Sequence, residues 1–477
     1  MNGKPMAIRS RLGTLLASIA LAASLAPTVA LAAPTSPTDV ADSKVTITDL
    51  VDGDVVSAYQ IADADIDAGN NLSYKMAEHL PAEYNDIRKF GAIASDGTDF
   101  KQNSDIQKVA SAVAKSFSDA NVAATATATA ANKSADLTLG SGYYLIRVTS
   151  TSGTARVYQN MIIDVSPVVN NGKYESHAEQ SLAVKKTDVG ITKTVVNEQD
   201  KTTDKYGVDD LVPFTVKTAI PSYPADSKDA TFVITDTPTK GLEIDPATIK
   251  INGAPAQSGA DYTITAAATG YTITFSKDYI LKNPGFAITV TYQAKVTSSA
   301  FSMAGSVTGN TAKVTFNPNP YTSDTAEPGD KTDVQTYGLV FKKVDGSHNP
   351  LPGATFTLTL TNGKVLTSTS DANGYVYFSG LAAGSYTVSE TGVPTGYQKA
   401  KDQAFELSKA SCTQDNPATP DVENNYFFSE TDVVDPPLSA LPAAGGPGTL
   451  IITAAGVILL AVGGFVLVRT QGKKNAE

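Results

Sequence analysis

FAITVTYQAKV, residues 286–296, has an apolar or aromatic side chain at every second position and mostly polar side chains between them. Successive side chains of a β-strand point to opposite faces, so this alternation predicts a strand with one buried and one solvated face. The pattern recurs in YTITFSKDY (271–279), TAKVTF (311–316), ATFTLTL (354–360) and SYTVSE (385–390). Because Gly, Asn, Pro and Asp punctuate these segments, we predict an all-β chain of antiparallel sandwiches.

One segment departs from the period of two. In SDIQKVASAVAKSFSDA, residues 104–120, the side chains of Ile106, Val109, Val113 and Phe117 recur at helical spacing. They fall on one face of a helix, which we expect to cover a sheet of the first domain.

Composition limits the possible functions. The chain has 477 residues, enough for about three domains. Its formal net charge is −11, and no block of Lys and Arg lies outside the termini, so we expect no nucleic-acid partner. The single cysteine, Cys412, excludes an internal disulfide. Three distant histidines and the lack of a P-loop or Gly-x-Ser-x-Gly motif predict no metal, no cofactor and no enzymatic turnover.

Both ends of the chain carry processing signals. Lys4, Arg9 and Arg11 precede an apolar run and the small residues of ALAAP, which predicts a signal peptide cut after Ala32. Residues 449–468 form an apolar run long enough to cross a bilayer, followed by a basic tail. We predict these segments: signal peptide 1–32, N-terminal domain 33–187, second domain 188–330, third domain 336–430, linker and LPAAG motif 431–448, transmembrane helix 449–468 and cytoplasmic tail 469–477. Within this scheme, NPNPYTSDTAEPGDKTDVQT (317–336) is interpreted as a linker.

The order of LPAAG, apolar helix and basic tail resembles the cell-wall sorting signal of Gram-positive surface proteins. The resemblance implies that a sortase attacks the carbonyl of the fourth residue and that the product is joined to an amine, such as that of peptidoglycan. The motif residues are Leu441, Pro442, Ala443, Ala444 and Gly445. Ala444 stands where the family has threonine, and the expected cut lies between Ala444 and Gly445.

The third domain carries a second resemblance. FKKVDGSHNPLPGATFTL (341–358) and GSYTVSETGVPTGY (384–397) resemble collagen-adhesin B-type domains, which are immunoglobulin-like sandwiches. The family makes an isopeptide bond between a first-strand lysine and a last-strand asparagine, assisted by a buried acid. The resemblance assigns these roles to Lys343, Asn424 and Glu390, with Asn425 as the alternative asparagine.

The second domain resembles the collagen-adhesin A type of pilus shafts. VGITKTV (189–195), TFVITDTPTKGLEI (231–244) and SVTGNTAKVTF (306–316) offer Lys193 on a first strand, Asp236 in mid-domain and Asn310 on the last strand. The chemistry requires a neutral amine and a protonated acid. Burial favours both forms, because desolvation disfavours charge.

A further lysine pair lies just before the second domain. SLAVKKTDVG (181–190) places Lys185 and Lys186 where shaft pilins carry the exposed lysine that accepts the acyl group of the next subunit. The Tyr-Pro-Lys motif that contains this lysine in the family is missing here. Of the two lysines, Lys185 is our first choice for the residue that accepts the acyl group.

Two functions follow from these resemblances. The first is the major subunit of a sortase-assembled cell-surface pilus, polymerised with copies of itself. The second is a monomeric, wall-anchored adhesin whose first domain binds a host ligand. Both place the chain on the surface of a Gram-positive cell.

Overall fold

A computed structural model describes residues 40–67, 69–88, 105–151, 155–197, 199–224, 227–302, 307–413 and 426–438. The predicted all-β architecture is confirmed. The predicted signal peptide, sorting motif, transmembrane helix and tail lie outside the described residues, as do Asn424 and Asn425. In the part of the chain that is described, no helix has the length and apolar character needed to cross a membrane.

The first domain consists of short strands and one long helix. Its larger sheet has the order β3-β2-β6-β8, with β4 also on β2, and a second sheet has the order β11-β1-β5. The elements are β1 (Ser43–Thr48), β2 (Val55–Ile66), β3 (Leu72–Met76), α1 (Asp105–Asp119), β4 (Ala126–Thr129), β5 (Ser134–Leu139), β6 (Gly142–Thr149), β7 (Arg156–Tyr158), β8 (Met161–Asp164), β9 (Val168–Asn170), β10 (Lys173–Glu175), β11 (Gln180–Ala183) and β12 (Lys186–Asp188).

The predicted helix is confirmed. Ile106, Val109, Val113 and Phe117 of α1 are buried. They share an apolar cluster with Ile61 of β2 and with residues of β6 and β8. The helix therefore covers one face of the larger sheet, as its apolar stripe predicts.

The second domain is a sandwich of two six-stranded sheets. One has the order β13-β15-β22-β18-β19, with β17 on β22, and the other has the order β14-β24-β23-β16-β21-β20. The elements are β13 (Ile191–Val195), β14 (Thr202–Thr203), β15 (Leu211–Ala219), β16 (Phe232–Pro238), β17 (Leu242–Ile244), a 3₁₀ turn (Pro246–Thr248), β18 (Lys250–Ile251), β19 (Ala254–Pro255), β20 (Tyr262–Ala267), β21 (Gly270–Phe275), α2 (Lys277–Lys282), β22 (Ala287–Val296), a 3₁₀ turn (Ser298–Ser302), β23 (Val307–Phe316) and β24 (Gly329–Gln335).

The interpretation of residues 317–336 as a linker is wrong at its C-terminal end. β24 pairs antiparallel with β23, with Asn310 opposite Thr332. Thr332 and Val334 are buried, while the charged neighbours Lys331 and Asp333 lie on the other face of the strand. The second domain therefore extends beyond 330 to Gln335, and Asn310 lies on the penultimate strand of the domain instead of the last.

The first two domains form one compact unit, and the third domain forms another. Within the first unit, Asn160 Nδ2 of the first domain donates to Tyr321 Oη of the second at 2.5 Å. The Ser150 hydroxyl donates to the Pro318 carbonyl at 3.1 Å. These polar contacts join the two domains through the segment that precedes β24.

The third domain has sheets of order β28-β25-β31, with β32 also on β25, and β27-β26-β29-β30. β31 and β32 both run parallel to β25. The strands are β25 (Tyr337–Asp345), β26 (Thr355–Thr359), β27 (Val365–Thr369), β28 (Tyr375–Leu381), β29 (Gly384–Gly392), β30 (Gln403–Leu407), β31 (Tyr426–Phe428) and β32 (Val433–Asp435). The predicted domain end at 430 is therefore too early, because β32 belongs to the sheet.

Candidate isopeptide sites and linking lysines

The lysine of the second domain points into the core. Lys193 lies in the middle of β13, opposite Val216 of β15, and has 0% exposure. Its Nζ lies 5.1 Å from the ring centroid of Phe214 and 5.0 Å from that of Tyr292. An ammonium group in such surroundings has lost its water shell, and the rings and any polar neighbour must replace it.

The structure brings all three predicted side chains of the second domain together. Lys193 Nζ contacts Asp236 Oδ2, and both side chains have 0% exposure. Asp236 comes from β16 and Asn310 from β23, two strands that pair antiparallel in the opposite sheet. Asn310 is also fully buried. The amine, the acid and the amide are thus held together inside one core.

A tyrosine that the sequence analysis did not identify joins the three groups. The hydroxyl of Tyr292 accepts hydrogen bonds from Lys193 Nζ and, at 2.9 Å, from Asn310 Nδ2. It donates to Asp236 Oδ2 at 2.9 Å. The alternation of FAITVTYQAKV turns Tyr292 inward, and a buried phenol needs a hydrogen-bond partner. That pairing rule is the sequence signal that could have identified it.

Burial moves the ionisable groups of this cluster toward their neutral forms. Desolvation lowers the pKa of Lys193 and raises the pKa of Asp236, and the opposite charge of each partner only partly offsets these shifts. Asn310 Oδ1 is buried and accepts no hydrogen bond within the described part of the chain. The Asn310 side chain also forms a hydrogen bond with the Asp236 carboxyl group, so the acid and the amide are in direct contact. The arrangement therefore favours a neutral amine next to an amide that an acid can polarise.

The lysine of the third domain has a different partner. Lys343 on β25 is fully buried, and its Nζ lies 2.6 Å from Asp435 Oδ1. Nζ also donates to the Val433 carbonyl at 3.2 Å. The linker predicted for residues 431–448 includes Asp435, because a three-residue strand followed by two prolines resembles a loop. Its burial on β32 corrects that assignment.

The predicted acid of the third domain lies beside this pair. Glu390 on β29 is 1% exposed, and its Oε2 accepts a hydrogen bond from the Ala400 amide at 2.7 Å. Burial raises the pKa of Glu390, and the neighbouring Asp435 carboxyl raises it further. The site therefore holds one lysine and two carboxyl groups, of which Glu390 favours the protonated form.

The two candidate linking lysines lie at the end of the first domain. β12 pairs with β7, and Lys186 Nζ forms an ion pair with Asp49 Oδ1 at 2.5 Å. The Lys186 side chain is only 14% exposed, so the expectation of an exposed lysine is wrong for this residue. Lys185 is half-buried, and its Nζ is covered. Asp49 also lines a surface cavity of about 340 Å³, together with Leu50, Val51, Asp52, Lys133 and Arg156.

Comparison with known proteins identifies the fold. Residues 338–419 match the family described as SpaA, prealbumin-like fold domain. The T6 backbone pilin of serotype M6 Streptococcus pyogenes, a modular three-domain structure, superposes with a TM-score of 0.65 at 18% identity. That superposition covers 85% of this chain and 100% of the T6 chain. This chain has the fold of a backbone pilin.

Two further comparisons agree with the backbone-pilin fold. The full-length major pilin SpaD from Corynebacterium diphtheriae superposes with a TM-score of 0.52 at 16% identity, covering 84% of this chain and 98% of that one. The curated trypsin-resistant surface T6 protein of Streptococcus pyogenes serotype M6 is 24% identical over 249 residues. That alignment covers 46% of this chain and 45% of the T6 protein, so this chain matches less than half the length of the curated relative.

Proposed function

We propose that this chain is the backbone subunit of a sortase-assembled pilus on a Gram-positive cell. The observation that carries the proposal is the buried cluster of Lys193, Asp236 and Asn310 around Tyr292, in a chain with the backbone-pilin fold. A covalently cross-linked domain suits a protein that transmits force along a fibre. The chain acts on itself once per molecule and turns over no soluble substrate.

The internal bond of the second domain joins Lys193 to Asn310. Neutral Nζ attacks Cγ of Asn310, the new C–N bond forms, and the side-chain amide nitrogen leaves as ammonia. Asp236 donates a proton toward the amide oxygen and moves the amine proton to the leaving nitrogen. Tyr292 holds the amine and the amide in position through its hydroxyl. The product is a buried amide without charge.

Polymerisation uses the C-terminal sorting motif of one subunit and a lysine at the end of the first domain of the next. The signal peptide directs export, and residues 449–477 hold the precursor at the membrane while a sortase cleaves after Ala444. The acyl group passes to a lysine of the next copy, with Lys185 as the first choice and Lys186 as the alternative. The terminal subunit is joined to peptidoglycan instead. The ion pair of Lys186 with Asp49 has to open before Lys186 can act as a nucleophile.

A ladder of covalent polymers tests the proposal. In cells that supply the sortase, the wild-type chain should give a ladder of high-mass bands that survives boiling in detergent. Lys185→Ala with Lys186→Ala should abolish the ladder and leave a wall-attached monomer, because the sorting motif is unchanged. As a matched control, Lys173→Ala with Lys205→Ala removes two exposed lysines and should leave the ladder intact.

The result also distinguishes the second function. A wild-type chain that is found only as a wall-attached monomer contradicts the pilus subunit and supports a monomeric adhesin. Normal polymerisation of the Lys185→Ala, Lys186→Ala variant shows that another lysine accepts the acyl group.

A further inference from the structure

The segment that carries the two candidate linking lysines is held by both of the first two domains. Gln159, which follows β7 directly, donates a hydrogen bond from its backbone amide to the Lys185 carbonyl at 2.8 Å. Its side-chain Nε2 donates to the carbonyl of Ser222 in the second domain. The backbone amide of Ser222 donates to Thr187 Oγ1 at 3.3 Å. A ring of hydrogen bonds that crosses from one domain to the other therefore encloses residues 185–187, the linking segment.

The centre of this ring is buried. Gln159 is only 3% exposed, and its Oε1 accepts a hydrogen bond at 3.1 Å from Nε2 of Gln107, a buried residue of α1. A buried amide that loses a hydrogen-bond partner is left with an uncompensated cost of desolvation. The hydrogen bonds of Gln159 therefore tie helix α1, the linking segment and the second domain to one another.

Tyr321 of the second domain adds a further set of contacts. Its ring lies beside the guanidinium group of Arg147 on β6, with 4.4 Å between Cζ and the ring centroid. Its hydroxyl accepts the hydrogen bond from Asn160 Nδ2. The cation–π contact and the hydrogen bond both stabilise the packing of the two domains. We call the group formed by Gln159, Asn160, Ser222 and Tyr321 the interdomain interface.

The two lysines point to opposite sides of the linking segment. Side chains alternate along an extended chain. Val184 belongs to the core of the first domain, and Lys186 forms its ion pair within that domain. Lys185 and Thr187 therefore face the other way, toward the side on which Ser222 of the second domain bonds to Thr187. The Nζ of Lys185, which is covered, thus lies where the second domain packs.

We propose that the interdomain interface controls which of the two lysines can accept an acyl group. When the interface is closed, the second domain covers the Lys185 amine. Lys186 is then the available acceptor, once its ion pair with Asp49 has opened. Separation of the two domains at Gln159 and Tyr321 exposes Lys185 as well. The choice of acceptor rests on the proposed pilus function, but the covering of Lys185 is measurable on the purified chain without a sortase.

Amine acetylation of the purified full chain, followed by fragment-ion mass mapping, tests the proposal. In the wild-type chain, Lys185 should react at least about tenfold more slowly than the exposed Lys173 and Lys205, because its amine reacts only when the interface opens. Acetylation of Lys185 at the rate of these two exposed lysines would overturn the proposal.

Two variants open the interface from different sides. Tyr321→Ala removes the cation–π contact and one hydrogen bond, and Gln159→Ala breaks the ring around the linking segment. In each variant, Lys185 should be acetylated about tenfold faster than in the wild type. Lys186 should keep its wild-type rate, because its ion pair lies within the first domain. An unchanged Lys185 rate in both variants, or an equal rise in the Lys186 rate, would contradict the proposal.

Controls separate local opening from unfolding. Thr322→Ala changes the residue next to Tyr321, whose hydroxyl bonds to Asp324 of the same segment, and should leave the Lys185 rate unchanged. Lys193 should stay unmodified in every variant, because it is buried in the core of the second domain. A faster reaction of Lys185 that occurs only together with acetylation of Lys193 would count against the proposal, because it would require unfolding of the domain.

The covalent ladder tests the choice of acceptor. In the ladder formed by Tyr321→Ala, the fraction of branches on Lys185 should rise relative to Lys186, and an unchanged fraction would overturn the control of acceptor choice. A wild-type chain that shows the expected acetylation rates but forms no ladder in cells with the sortase would contradict the pilus function and not the covering of Lys185.

Discussion

Lys193 and Lys343 are kept out of water by their own domains, and each has a carboxyl group directly against its amine. At the scale of single residues, such a pair gains stability only if its charges are neutralised or closely matched. Formation of an amide bond by the lysine removes its charge permanently. The two sites differ in the third group, which is an amide held by Tyr292 in one domain and a second carboxyl group in the other.

We propose that Asp236 is the proton carrier of the second-domain site. Asp236→Ala should abolish the bond between Lys193 and Asn310, so that the intact mass equals the mass calculated for the variant sequence, without the loss of one ammonia. Asp330→Ala is the matched control. Asp330 accepts a hydrogen bond from the Lys193 backbone amide but does not belong to the buried cluster. If the Asp236→Ala chain still had the mass calculated for its sequence minus one ammonia, the acid would be dispensable.

The Tyr292 hydroxyl is expected to position the reacting groups. Tyr292→Phe keeps the ring but removes the hydrogen bonds to the amine, the acid and the amide, so a smaller fraction of purified chains should carry the bond. Tyr271→Phe is the matched control, because Tyr271 is buried against the Tyr292 ring and its hydroxyl has no hydrogen-bond partner in the described structure. Intact-mass measurement gives the two fractions, and equal fractions would remove the role assigned to Tyr292.

At the scale of elements, the period of two predicted several of the long strands, and the family resemblance implied the burial of Lys193, Asp236 and Lys343. It did not reveal β24 or β32. β24 carries Lys331 and Asp333 on its outer face, where they form an ion pair, and these charges conceal the inward Thr332 and Val334. β32 is three residues long, and its pairing with β25 spans about ninety residues of sequence, which no local pattern reports.

The assignment of β24 to the second domain makes a stability prediction. Val334 has 0% exposure, so Val334→Ala should leave a cavity and lower the free energy of unfolding by about 2 kcal/mol. Lys331→Ala, on the exposed side of the same strand, should change it by less than about 0.5 kcal/mol. Both are to be measured by denaturant unfolding in the Asp236→Ala background, which lacks the cross-link. If Val334→Ala and Lys331→Ala both changed the free energy of unfolding by the same small amount, the interpretation of this segment as a linker would be restored.

At the scale of the whole molecule, we propose a chain that is cross-linked within its domains and between its copies. The proposed bond from Lys193 to Asn310 would close a loop of more than one hundred residues, which the chain-entropy model values at about 5 kcal/mol. Its larger effect is mechanical, because a pull on the two ends of the domain passes through a covalent bond. The link between neighbouring copies has to be covalent as well if the whole fibre is to resist a pull as the cross-linked domain does.

That joint can be located directly. Mass mapping of the detergent-resistant ladder from wild-type cells should yield a branched peptide in which the carbonyl of Ala444 is bonded to Nζ of Lys185 or Lys186. The branch identifies the cut between Ala444 and Gly445, the acceptor lysine and the polymer in one measurement. A ladder whose branches lie only on lysines outside residues 181–190, or chains that end at a residue other than Ala444, would contradict the account.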